Sequence, residues 1–296
     1  MRLERAGHLE GAAIDRATAL NIAFEGADPR EVLAGAVAEF PGELAMVSSF
    51  GADSVVLLHM ISQIDRSVPV LMIDTLMLFR ETLAYQQEVA DKLGLNVVHL
   101  RPTAPELAAE DPEGTLNQVD QDACCDLRKV RPLERVAGRW PVTVTGRKRY
   151  QGVTRAALRH FEPEGPRLKV NPLAYWGGAE IRAYMEEHAL PRHPLVARGY
   201  PSIGCAPCTS PVRPGEDPRS GRWRGSAKTE CGIHFIGGKI VRDENGVATG
   251  VLVDAAQALV TKVLPQQSEQ EGRVMLDQAL QNMASVGLTA VHDAGI

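Results

Sequence analysis

Short apolar runs rich in Val, Ile and Leu recur at residues 44–47, 68–73, 96–100 and 142–145, and helix-like stretches of 10–15 residues separate the first three. Strands alternating with helices at this spacing predict βαβ units, and hence an α/β fold with a mostly parallel sheet flanked by helices. Ile181, Tyr184, Met185 and His188 fall at i, i+3, i+4 and i+7, the apolar face of a further helix, on which His188 reads as a packed side chain. Between 191 and 229 the periodicity gives way to Pro, Gly, Arg and Cys. A loop of that length inside a compact protein is functional or disordered, and its two cysteines favour function.

Hydrophobic residues make up 44% of the 296-residue chain and charged residues 23%, as in an ordinary soluble protein. No apolar run approaches the ~18 residues of a membrane span, and the N-terminal MRLERAGHLEGAAIDRA lacks the apolar core of a signal peptide. The expectation is a cytoplasmic protein without a membrane partner. A net charge of −5 argues against a general nucleic-acid binder. Residues 124–169 nonetheless carry twelve Lys/Arg against four Asp/Glu. Such a run is either a solvated basic face or the field of a cleft that takes a compact anion.

The five cysteines are Cys124, Cys125, Cys205, Cys208 and Cys231. In a reducing compartment metal or thiol chemistry precedes a disulfide framework. An adjacent pair, a C-x-x-C pair and one further thiol read as four ligands plus a nucleophile. A structural zinc is the plainer use of four cysteines, although zinc sites favour cysteines two to four residues apart.

LAMVSSFGADSVVLLHM reads as strand, tight turn and helix, with Ser48, Ser49, Gly51, Asp53 and Ser54 in the turn. Small residues let backbone amides approach a phosphate at a helix N-terminus; helix capping by Ser49 or Asp53 is the alternative. SSFGADS resembles the phosphate loop of the adenine-nucleotide α-hydrolase (PP-loop) fold, and its Ser-Phe variant resembles the sulfonucleotide reductase branch. IDTLMLFRET supports that branch, with Leu76 and Met77 departing from the commoner glycine and Arg80 from a frequent proline.

CCDLRKVRPL followed about eighty residues later by GCAPC resembles the paired-cysteine signature of iron–sulfur adenylylsulfate reductases. The resemblance implies a 4Fe–4S cluster on Cys124, Cys125, Cys205 and Cys208, a donor set of soft thiolates that suits iron and sulfide. It implies that Lys129 links cluster and substrate sulfate. KTECGIH resembles the catalytic tail of the same family, which implies Cys231 as nucleophile and His234 beside the substrate. Within TGRKRYQG, Arg147 and Arg149 are candidates for the anion and Gly146 leaves room for adenine. GEDPRSGRW supplies Arg219 and Arg222, which correspond to the family's phosphosulfate arginines. Arginine suits such work because its planar fork donates two hydrogen bonds to phosphate or sulfate.

The implied reaction is reduction of adenosine 5′-phosphosulfate to sulfite and AMP through an S-sulfocysteine, with reduced thioredoxin or glutaredoxin as dithiol donor, in sulfate assimilation. A homo-oligomer is compatible with this reading. The resemblance ends near His234, giving a reductase domain over 1–234. The 62 residues of 235–296 resemble an internal piece of an amidohydrolase, a fusion tail without the paired His-x-His of a metal site and too short to close a barrel. The competing readings are a 3′-phosphoadenylylsulfate reductase and an ATP pyrophosphatase of the PP-loop type.

Overall fold

A computed structural model describes residues 2–152, 155–226, 228, 239–242 and 248–253. The chain divides into two compact units, Met1–Gly237 and Gly238–Ile296. In the second unit β7 (Lys239–Arg242) pairs antiparallel with β8 (Ala248–Val253).

The first unit is built on a six-stranded sheet in the order β3-β2-β1-β4-β6-β5. Its strands are β1 (Leu44–Ser48), β2 (Pro69–Ile73), β3 (Asn96–Leu100), β4 (Val142–Val144), β5 (Phe161–Glu164) and β6 (Arg167–Val170). Neighbours run parallel except β5, which pairs antiparallel with β6 at the edge. Central strands of a parallel sheet are covered on both faces, so they read as apolar runs without alternation. Accordingly Leu44, Ala45 and Met46 of β1 and Val70, Leu71 and Met72 of β2 are all buried.

The helices of this unit are α1 (Arg2–Ala23), α2 (Pro29–Glu39), α3 (Ser54–Ile64), α4 (Arg80–Leu93), α5 (Ala104–Glu110), α6 (Leu116–Val119), α7 (Gln121–Cys125), α8 (Arg131–Ala137) and α9 (Gly178–Glu187). The larger core joins one sheet face to α1, α2, α3, α4 and α9, through residues such as Leu33, Val56, Met60, Val89 and Ile181. A smaller cluster on Ala45, Leu71, Ile73, Leu100 and Trp140 packs against Leu133 and Val136 of α8.

Three of the four expected strands coincide with β1, β2 and β3 to within a residue, and the fourth ends at Val144. The β5–β6 hairpin is an addition. Its sequence, FEPEGPRLKV, carries charges that look solvent-directed, yet Lys169 is buried and paired with Glu164. His188 caps the end of α9 half-buried, between the rings of His59 and Tyr184 and the guanidinium of Arg30.

Strand order reverses at β1: the chain moves outward through β2 and β3, then returns to lay β4 on the other side. In open α/β sheets the crevice at the carboxyl ends of such strands is the natural ligand site. The turn that leaves β1 contains Phe50 at φ 48, a left-handed conformation costly for a side chain with a Cβ. Its ring is fully buried in the main core, which offsets the strain. Phe50→Ala should therefore destabilise the fold by about 3–5 kcal/mol, read from urea unfolding, although it leaves the backbone strain in place.

His193 lies buried between Thr82 and Tyr85 of α4. Its Nδ1 accepts the Leu195 amide at 3.2 Å, so the neutral imidazole donates Nε2–H to Thr82 Oγ1 at 3.1 Å. Burial holds the imidazole down at about 4, against an ordinary 6.5. The unfolded chain thus takes up a proton that the folded chain refuses. The contribution is intact above pH ~6.5 and is lost as pH falls toward ~4, by up to about 1.4 kcal/mol per pH unit. His193→Asn, which keeps an acceptor for Leu195, should flatten this part of the stability–pH curve in urea titrations between about pH 7 and about pH 4.5.

Candidate active site

A cleft of about 210 Å³ opens where the loops after β1 and β4 part. Its walls come from four places in the sequence. The serine loop contributes Ser48, Ser49, Gly51, Asp53 and Ser54; the segment after β4 contributes Gly146, Arg147, Lys148, Gln151 and Arg155. Lys129 enters from the cysteine helix, and the long loop supplies Ser202, Cys205, Arg219, Arg222 and Trp223.

The serine loop is held by its own hydroxyls. Ser48 Oγ accepts the Phe50 amide at 3.2 Å and Ser54 Oγ accepts the Gly51 amide at 3.0 Å. Asp53 stands at the N-cap of α3 yet makes no side-chain cap. Its carboxylate faces across the cleft to Lys148 Nζ at 3.2 Å and accepts the Tyr150 hydroxyl at 3.4 Å. Lys148 is almost entirely buried, and burial depresses its ammonium pKa while Asp53 opposes the shift.

The basic segment is heavily committed to carboxylates from other elements. Arg128 pairs with Asp111, Arg135 with Glu106, Arg147 with Glu162, Lys148 with Asp53, Arg167 with Glu134 and Lys169 with Glu164. Arg147 lines the cleft, but its Nη2 reaches Glu162 at 2.6 Å and its Nε reaches Asn171 Oδ1 at 3.2 Å. Arg149 stands away from the cleft: Nε donates to the Leu158 carbonyl at 2.7 Å, and the guanidinium lies 4.0 Å from the centre of the Tyr175 ring. Gly146 meets open space where a Cβ would lie. Lys148 and Arg155, which motif reading did not single out, are cleft residues, as is the motif's Gln151; Arg155 Nη1 donates to Gln151 Oε1 at 2.6 Å. Their signal in the sequence is proximity to Gly146 in a short basic segment.

Four thiols lie within electrostatic reach of one another, and one of them, Cys205, lines the cleft. Cys124 and Cys125 end α7, and the following residues Asp126–Val130 wind as a π-helical turn, a rare geometry that recurs at functional sites. Cys205 and Cys208 flank a 3₁₀ turn in the long loop. Burial pushes the Cys124 thiol up to about 11; Cys125 adds to the rise, Arg128 opposes it, and Cys205 and Cys208 add further. Burial also raises Cys208, with Cys205 adding and Lys129 and Arg222 opposing. Thr75 Oγ1 lies 3.3 Å from Cys205 Sγ.

Among the described residues, no three His, Cys, Asp or Glu side chains are arranged to hold a single metal ion. Trp223 donates its backbone amide to the Cys208 carbonyl at 3.0 Å, and its buried indole N–H has no hydrogen-bond partner. The buried Nε of Arg222 has none either. Arg222 lies over Gly204, where an added Cβ would come within 2.3 Å of the guanidinium and displace it. Four soft donors beside orphaned N–H groups fit an inorganic group with several acceptor atoms better than they fit an apolar core.

Cys231 and His234 lie outside the described residues. The chain leading to them is tied down at Lys228, whose ammonium pairs with Asp122 of α7 and stands 5.9 Å from the Trp223 ring centre.

The comparisons agree with this layout. A sequence model of the phosphoadenosine phosphosulfate reductase domain matches residues 43–211. An adenosine 5′-phosphosulfate reductase of Mesorhizobium japonicum is 49% identical over 79% of this chain and 93% of its own. One from a Chelativorans species is 53% identical over 66% of this chain and 80% of its own. The crystal structure of a phosphoadenylyl-sulfate reductase from Candida auris in complex with phosphate superposes with a TM-score of 0.58 at 30% identity, covering 67% of this chain and 97% of that one. With its parallel sheet, its serine loop and the cleft residues up to Cys205 within the matched region, the chain belongs to the phosphoadenosine phosphosulfate reductase family.

Proposed function

We propose that this chain reduces adenosine 5′-phosphosulfate to sulfite and AMP, with Cys231 as nucleophile and a reduced dithiol of the thioredoxin or glutaredoxin type as donor, in cytoplasmic sulfate assimilation. The observation that carries the reading is the convergence, in one cleft, of the serine loop, the cations Lys129, Arg219 and Arg222, and Cys205 of the four-thiol group.

In the first step the Cys231 thiolate attacks the sulfate sulfur. The S–O bond to phosphate breaks, its electron pair stays on the phosphate oxygen, and AMP leaves. An S-sulfocysteine remains. In the second step a donor thiolate attacks Cys231 Sγ and expels sulfite; the donor's other thiol then resolves the mixed disulfide and regenerates the Cys231 thiolate. Negative charge grows on the bridging oxygen as the S–O bond breaks. Lys129, Arg219 and Arg222 supply the counter-charge, and a partly desolvated cleft makes each cation count for more than in water. The serine loop and Arg155 hold the 5′-phosphate end, while Gly146 leaves the space beside the base.

Cys124, Cys125, Cys205 and Cys208 would hold a 4Fe–4S cluster. When bound it supplies a fixed local charge distribution next to the sulfate end of the cleft. The orphaned Trp223 N–H and the Thr75 hydroxyl are donors suited to its sulfurs. The segment 235–296 takes no part in this chemistry and is read as a fused tail, with 1–234 as the reductase domain.

Anaerobically purified protein should release sulfite from adenosine 5′-phosphosulfate with reduced thioredoxin, and Cys231→Ser should release none. Sulfite from the Cys231→Ser protein would overturn the nucleophile. A rate with the 3′-phosphorylated nucleotide that exceeds the rate with adenosine 5′-phosphosulfate would transfer the assignment to the phosphorylated substrate. A version ending at residue 234 should turn over as the full chain does.

Two cleft substitutions should separate binding from chemistry. Arg155→Gln removes a charged hydrogen-bond donor worth ~1.5–3 kcal/mol, so the dissociation constant for AMP should rise about tenfold or more in calorimetry. Lys129→Met should lower kcat by about a hundredfold or more with a smaller change in KM, as expected for a cation that acts on developing charge.

A further inference from the structure

We infer that Asp111 is a positioning residue for the four thiols: through Arg128 and Thr75 it sets the distance between the Cys124–Cys125 pair and the Cys205–Cys208 pair. The inference deepens the proposed cluster site, but the strut belongs to the protein alone and can be read out without iron.

The two pairs lie about eighty residues apart in sequence and on different elements, so something must fix their separation. Arg128 follows Cys125 by three residues, within the π-helical turn. Its guanidinium grips Asp111 Oδ2 through Nε at 3.2 Å and Nη2 at 2.6 Å, and both side chains are nearly inaccessible. The remaining arm, Nη1, donates to the Thr75 carbonyl at 2.9 Å.

Thr75 begins the segment that is zipped to the second cysteine pair. Its hydroxyl accepts the Met77 amide at 3.2 Å, which leaves its proton for Cys205 Sγ at 3.3 Å. The Met77 carbonyl accepts the Ala206 amide at 2.8 Å, and Leu78 bridges antiparallel to Cys205. A continuous set of bonds therefore runs from Asp111 through Arg128 to Thr75 and on to Cys205.

Asp111 is itself fixed, because its Oδ1 accepts the Leu116 amide at 2.9 Å. Burial pushes its carboxyl upward, but the bonds from Arg128 and the Leu116 amide outweigh that and hold it below the usual carboxylate range. A buried ion pair adds little net stability over an apolar pair of the same volume, and its best-attested use is to fix register. Register between two cysteine pairs is what this pair spans.

The test compares Asp111→Asn with the apolar pair Asp111→Leu/Arg128→Met, which removes the strut without leaving a buried charge alone and is read should the single variant fail to fold. Val32→Ala, in the core of α2 away from the cysteines, serves as the control for general destabilisation. Iron-free protein is alkylated under native conditions and the cysteines are resolved by peptide mass. Without the strut, Cys125 and Cys205 should both label about tenfold faster than in the parent, the equivalent of ~1.4 kcal/mol of local opening, while Val32→Ala labels as the parent does. Unchanged labelling in the strut variants, or an equal rise in Val32→Ala, overturns the inference. A second arm follows iron loss to a chelator after reconstitution with iron and sulfide, and loss should be faster without the strut. A parent protein that takes up no iron would sink the cluster reading while the labelling still decides the strut.

Discussion

The parallel seam between β1 and β4 is the constraint from which the cleft follows. Three residue pairs, Leu44–Val142 to Met46–Val144, hold two strands side by side whose outgoing chains part company at the top of the sheet. The chain after β1 enters α3 by way of the serine loop, and the chain after β4 runs through the basic segment to Arg155. A gap at such a place cannot be closed by the sheet itself, so it is lined by whatever the two loops carry. Here they carry hydroxyls, amides and cations. The strain accepted at Phe50 has the same origin: the turn must be tight to start α3 at once, and a buried ring stabilises what the backbone alone would resist.

Lining a half-buried cleft with cations costs desolvation unless each has a partner. In and around the cleft the protein meets this with carboxylates, some distant in sequence, as Asp53 is from Lys148, and some close, as Glu164 is to Lys169. Asp53, Asp111, Glu162 and Glu164 each face a nearly buried cation. Arg147 and Lys148 are accordingly scaffold as much as binding groups, with their charge already answered by protein. A tally of Lys and Arg in sequence therefore overstates the field an anion would meet. Pairs such as Arg147–Glu162 and Lys148–Asp53 set shape, and Lys129, Arg219 and Arg222 bring further cations to the same cleft from other elements.

The strands were legible because β1 and β2 are buried on both faces and carry unbroken apolar runs. The β5–β6 hairpin was not, because its charges are neutralised by partners that sequence does not reveal: Lys169 by Glu164, Arg167 by Glu134, Arg147 by Glu162. The serine loop and Gly146 were readable as motifs, since small residues before a helix have few other uses. Arg149 shows the limit of that method. It sits among cleft residues in sequence, yet one step along a 3₁₀ turn sends its side chain to Tyr175 and the Leu158 carbonyl. Arg155 was passed over for the opposite reason, lying beyond the recognisable motif and returning to the cleft through Gln151. Three-dimensional return of this kind leaves no periodic trace.

The thiols bring the two themes together. Burial and their mutual proximity disfavour the thiolate at Cys124 and Cys208, so without a metal these side chains stay protonated at neutral pH. Under the proposed cluster assignment, binding iron would release protons, and the affinity of the site would depend on how well the protein holds the sulfurs together before the metal arrives. A nucleophile has the reverse need, a thiolate at neutral pH, which is met by exposure and nearby cations rather than by burial. The proposed assignment gives the two demands to different cysteines: Cys124, Cys125, Cys205 and Cys208, largely buried, to the metal, and Cys231, which follows Lys228 by three residues in sequence, to the attack.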